Sequence, residues 1–161
     1  MHAWVAVVVM TGCVVTPAVQ PPAPRALAQL EASRDLDGIV VGPSDAPTIV
    51  IVFASWCTHC RDELGELAGV RRPVRLIGVN YRGHEEYDHR GNSDAVRAFA
   101  HAWPWLRVVP IGDDVFGALG RPPLIPVIYI YDRRGGLVAT FDRRERAPPS
   151  KAELDAILTG L

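Results

Sequence analysis

Residues 54–64 read ASWCTHCRDEL and overlap the end of an apolar run, PTIVIVFAS at 47–55. The run is β-branched and apolar almost throughout, the pattern of a strand buried on both faces. Beyond it, THCRDELGELAGV at 58–70 places Leu64, Leu67 and Ala68 at helical spacing, with charges between them. Cys57-x-x-Cys60 therefore falls where a buried strand ends and a helix begins. Free backbone N–H groups and the helix dipole stabilise a thiolate at such a point, and the thiolate is the form that attacks a disulfide. Cys60 lies on the same face of the first turn, near enough to close a ring with Cys57. The placement suits attack by Cys57 and resolution by Cys60, with half of a zinc site and a structural staple as the competing readings.

Cysteine counting weighs against both competitors. The chain has three cysteines, Cys13, Cys57 and Cys60, so a four-cysteine zinc site has no second pair. His84 and His89, in GHEEYDHRG, miss the spacing that sets two histidine ligands on one helix face. That stretch reads as a solvated polar loop. A staple normally joins distant segments, because a short ring removes little chain entropy.

At 161 residues the chain has the length of one domain with an ordinary buried core. Its apolar content of 48 % and charged content of 22 % are those of a globular protein. A formal net charge of −1 implies no general attraction to nucleic acid or acidic lipid.

The N-terminus reads as an export segment. AWVAVVVMTGCVV at 3–15 is apolar almost throughout, too short to span a bilayer, which takes about 20 residues, and of signal-peptide length. TPAVQPPAP at 16–24 reads as an extended tether. TGC at 11–13 resembles a bacterial lipoprotein signal, although Met10 stands where leucine is preferred and the leader lacks lysine and arginine. The resemblance implies a signal peptide over 1–12, lipid on Cys13, a lipid-anchor tether over 13–35, and a folded domain over 36–161.

The remainder alternates strands and helices. DGIVVG (37–42), PVRLIGVNY (73–81), PVIYIYD (126–132) and GLVATFD (136–142) read as strands, the last two joined by a hairpin turn. NSDAVRAFAHAW (92–103), DDVFGALG (113–120) and SKAELDAILTGL (150–161) read as helices, the last opened by a capping box of Ser150 and Glu153. The order implies an α/β fold, with a sheet parallel in its first half and an antiparallel hairpin at its end. AWPWLRV (102–108) reads as packing beneath a sheet edge.

Trp56-Cys57-x-x-Cys60-x-x-Glu63, the later Pro126 before a strand, and the Asp132-x-x-Gly135 hairpin together resemble the thioredoxin superfamily over roughly residues 36 to 161. The similarity is greatest to its exported, often membrane-anchored TlpA and ResA branch. The resemblance implies a thioredoxin-like fold, a central mixed sheet flanked by helices, and thiol–disulfide oxidoreductase activity with no cofactor beyond the disulfide. Cys57 matches the nucleophile, Cys60 the resolving cysteine, Trp56 the neighbouring tryptophan, and Pro126 the cis-proline whose loop pairs with substrate backbone. Thioredoxin's buried aspartate is replaced by Ile51; the exported branch instead carries the glutamate matched by Glu63, which can take the proton from Cys60. His59 departs from the branch's usual proline and resembles disulfide-forming and isomerising members. Gly65 stands where that branch commonly has another proline. Glu63 and the architecture imply a reductant serving apocytochrome c or copper-site thiols, whereas His59 implies a disulfide oxidase or isomerase. A copper-binding lipoprotein without turnover, using Cys57, Cys60 and His59, is the alternative of another class. The implied setting is the periplasm-facing bacterial envelope. Its implied partners are exported cysteine-containing proteins and, for a reductant, a membrane redox partner.

Overall fold

In the computed structural model, which describes residues 21–70, 73–144 and 146–161, the apolar run forms strand β1, Thr48–Phe53, with every residue buried. Its side chains alternate between two cores. Ile49, Ile51 and Phe53 face one, and Val50 and Val52 face the other, as the strand's two-residue period requires. The other strands are β2 (Arg75–Tyr81), β3 (Arg107–Ile111), β4 (Val127–Tyr131) and β5 (Leu137–Asp142). The sheet order is β3-β2-β1-β4-β5. β1 pairs in parallel with β2, and β2 with β3; β4 runs antiparallel to β1 and to β5. The expected mixed sheet is therefore present.

Helices cover both faces. α2 (Thr58–Ala68), α4 (Ser93–Ala102) and α6 (Lys151–Thr159) contribute Leu64, Leu67, Val96, Phe99, Leu154 and Leu158 to the core that holds Ile49 and Ile51. On the opposite face, α1 (Ala26–Ala32) and α5 (Asp113–Ala118) supply Leu27, Leu30 and Phe116. α1 lies within the stretch read as tether, with Leu30 fully buried. A short helix, α3 (Arg82–Glu85), follows β2 directly. The signal peptide, Cys13 and the tether as far as residue 20 lie outside the described residues.

Two local expectations change. Residues 37–42 form no strand; only a single bridge, Arg34 to Val40, appears. The reason lies in Arg107 on the edge strand β3, whose guanidinium donates to the carbonyls of Val40 and Val41, each at 2.9 Å, and to the Asp35 carboxylate. A side chain thus takes acceptors that a ladder would otherwise use. β3 itself follows the Trp-Pro-Trp segment read as edge packing. At α6, Ser150 accepts the Glu153 N–H at 3.3 Å, but the Glu153 carboxylate pairs with Arg146, so only half of the capping box is made. The β4–β5 turn is held by Asp132, whose Oδ1 accepts the N–H groups of Arg134 and Gly136, each at 2.8 Å.

Candidate active site

Cys57 is the N-cap of α2. Its backbone is extended, and its Sγ accepts the Cys60 N–H at 3.1 Å. A helix leaves its first N–H groups without intrahelical partners, and here one of them is aimed at the first sulfur. Cys57 and Cys60 form a disulfide with Cα atoms 5.2 Å apart. Cys57 is 5 % exposed and Cys60 0 %. Solvent thus reaches only the first cysteine.

The segment entering the pair is held from both outside and within α2. The Trp56 indole N–H donates to the carbonyl of Glu85 at 2.9 Å and to that of His84 at 3.2 Å. The Arg90 guanidinium lies over the Trp56 ring, 5.0 Å from its centroid, a cation–π arrangement. Arg61 donates to the Ser55 carbonyl at 2.7 Å.

Glu85 is a site residue in the stretch whose sequence predicts a solvated loop. It is 2 % exposed. Its Oε2 accepts the Ser55 N–H and an Asn80 amide N–H, each at 2.8 Å, and its Oε1 accepts the Ser55 hydroxyl. The loop returns over it at Gly91, where a Cβ would run into the Glu85 carboxyl group. His84, beside it, is edge-on to the rings of Tyr81 and Phe116 and bonds through Nε2 to the Pro122 carbonyl at 2.9 Å. Burial pushes its pKa down from 6.5, opposed by that bond. α3 thus grips the approach to Cys57 on one side and the loop before Pro126 on the other.

The Ile125–Pro126 peptide is cis. β4 begins at the next residue, and Val127 stands opposite Val52 on β1. That register brings Pro126 to the end of β1 from which the chain runs on to Cys57. Glu63, one turn beyond Cys60 on α2, is half-buried; desolvation raises its pKa from 4.5, and nearby Arg143 works against the rise. His59 is different: its side chain is 64 % exposed, with Nδ1 3.9 Å from the Asp62 carboxylate. The structure therefore gathers Trp56, Cys57, Cys60 and Glu63 along one strand–helix junction, brings Pro126 to the same end of the sheet, and turns His59 to solvent. Among the described residues there is no group of three or more side chains set to hold a metal ion.

No protein-family model and no curated protein matches the sequence. Solved structures do match. A secreted Mycobacterium tuberculosis disulfide oxidoreductase homologous to E. coli DsbE superposes with a TM-score of 0.61 at 17 % identity, over 83 % of this chain and 98 % of that one. A thioredoxin-family thiol:disulfide interchange protein from Chlorobium tepidum gives 0.61 at 19 %, over 90 % and 98 %. An uncharacterized thioredoxin-like protein from Porphyromonas gingivalis gives 0.61 at 26 %, over 83 % and 92 %. The chain has the thioredoxin-like fold. Its Cys57–Cys60 disulfide, at the head of α2, fits the thioredoxin superfamily and supports thiol–disulfide oxidoreductase chemistry.

Proposed function

We propose that the protein is a thiol–disulfide oxidoreductase acting as a reductant on exported cysteine-containing proteins. The observation that carries this reading is the pairing of a helix-capping, slightly exposed Cys57 with a fully buried Cys60. The Cys57 thiolate attacks a substrate disulfide, forming a mixed disulfide and releasing one substrate thiolate. Cys60 then attacks Cys57, which frees the second substrate sulfur and restores the Cys57–Cys60 bond. Two electrons pass to the substrate, and its two sulfurs finish as thiols. Glu63, held above its ordinary pKa by desolvation, takes the Cys60 proton as the mixed disulfide resolves. The Pro126 loop presents substrate backbone beside Cys57.

The reductive direction is supported by His59, whose exposure and nearness to Asp62 leave little reason for it to stabilise a Cys57 thiolate. Haem-attachment or copper-site thiols are the substrates this role would serve, and a membrane redox partner would return the electrons. Lipid on Cys13 would hold the protein at the envelope surface, facing the periplasm. Among the described residues no helix is long and apolar enough to cross a membrane.

Non-reducing electrophoresis of variants expressed in a bacterial envelope tests the reading. Cys60→Ser is expected to accumulate mixed disulfides, and Cys57→Ser to trap none. Equal trapping by both would reverse the assigned roles, and no trapping by either would remove the catalytic reading.

A further inference from the structure

Glu85 holds both residues that precede Cys57. Its carboxylate accepts the Ser55 N–H and hydroxyl, and its carbonyl accepts the Trp56 indole N–H. Packing alone does not call for a charge at this point. A glutamine could accept from Ser55 N–H and Asn80 with its oxygen, and donate its amide to the Ser55 hydroxyl oxygen, which also accepts. A buried charge is costly to hold, so its presence where an amide would satisfy the same partners points to a use for the charge itself.

We propose that Glu85 is a positioning residue of the disulfide site whose buried negative charge disfavours the Cys57 thiolate and so makes the pair a stronger reductant. The inference rests on the thiol–disulfide reading above. On reduction the disulfide takes up two electrons and two protons to give two thiols, of which Cys57 is the one that ionises. A charge that opposes ionisation withdraws stability from the reduced form and lowers the potential.

The carboxylate is close enough to act. Cα atoms two residues apart are at most about 7.6 Å apart, and Glu85 bonds directly to Ser55. The carboxylate therefore lies within roughly 14 Å of the Cys57 sulfur. At that distance, with an effective dielectric constant near 20, one charge shifts an ionisation constant about sevenfold or more. Other charged groups around Cys57 include His59 with Asp62, Arg61 on the Ser55 carbonyl, Arg90 over Trp56, and Glu63 with Arg143. These side chains reach solvent, where water and salt screen them; the 2 % exposed Glu85 is screened far less.

The test uses the full-length protein and a glutathione buffer, in which protein disulfide and two glutathione thiols exchange for protein dithiol and one glutathione disulfide. In Glu85→Gln the equilibrium constant for reduction by glutathione should rise three- to tenfold, up to about 30 mV in potential. Ultraviolet titration of the reduced variant should show the Cys57 ionisation constant rising about sevenfold or more. Ser55→Ala keeps the charge and withdraws one donor, so neither constant should rise. Unchanged constants in folded Glu85→Gln would overturn the proposal, as would an equal rise in Ser55→Ala. Should Glu85→Gln not fold, Ser55→Ala decides: constants at or below the wild-type values support the charge effect, and a rise overturns it. The titration reads the reduced protein whether or not it turns over. A wild-type protein inactive towards insulin disulfides would therefore count against the oxidoreductase reading alone.

Discussion

Reducing the Cys57–Cys60 disulfide is expected to destabilise the folded protein by about 1 to 2 kcal/mol. The bond joins residues three apart in sequence, and a ring that small withholds about 2 kcal/mol of chain entropy from the unfolded state. Against it stands the stabilisation a Cys57 thiolate gains on reduction. Its Sγ already accepts the Cys60 N–H at 3.1 Å, and a charge at a helix N-terminus is worth about 0.3–1 kcal/mol. Cys60, fully buried, stays a neutral thiol. The difference closes a thermodynamic cycle with the redox potential. A folded disulfide favoured by 1 to 2 kcal/mol sits about 20 to 40 mV below an unstructured Cys-x-x-Cys pair. Urea unfolding of the oxidised and reduced forms at pH 7 measures the first quantity, and a glutathione equilibrium the second. The oxidised form should have the higher midpoint at a similar slope. A reduced protein that survives to higher urea would refute the reasoning. Folding would then favour the dithiol, which is the signature of an oxidant.

Two further outcomes concern proton-linked groups. Glu63→Gln should slow resolution of mixed disulfides about 100-fold, the lower end for general acid–base catalysis, as read by stopped-flow fluorescence of a trapped adduct. The raised Glu63 pKa means that stability is lost as pH rises from 4.5 through the folded value. The variant should therefore be at least as stable as wild type at pH 7, and lower stability there would remove desolvation as the cause. His84 has the opposite sign. Its lowered pKa means stability that is present above 6.5 and lost as pH falls through the folded value. Thermal melts of wild type should drop between pH 7 and pH 5, and His84→Gln should flatten that drop.

Much of this architecture was legible in the sequence because periodicity and burial agree. The run at 48–53 is wholly buried, and an all-apolar segment could hardly be anything but an inner strand. Asn92 and Ser150 cap α4 and α6 as their chemistry suggests. What local sequence does not reveal is tertiary. α1 is seven residues long, too short to announce itself beside a proline-rich stretch; its stability comes from packing Leu27 and Leu30 beneath the sheet. β3 follows Trp-Pro-Trp, and its strand character comes from pairing with β2. In GHEEYDHRG, nothing local separates buried Glu85 from exposed Glu86. The available signal was topological: the segment leaves a parallel strand at the sheet end that carries Cys57, and Gly91 permits the chain to close over it.

The start of α1 also sets how far the molecule can range. The chain enters the fold at Ala23, whose N–H is fixed to the Ala118 carbonyl at 2.7 Å. Ala23 lies ten steps along the chain from Cys13, and fully extended that stretch reaches about 35 Å. A lipid at Cys13 would therefore make a leash little longer than a small domain is wide. Cys57 would patrol a thin layer above the bilayer, and disulfides presented in that layer would be met far more often than those of freely diffusing proteins.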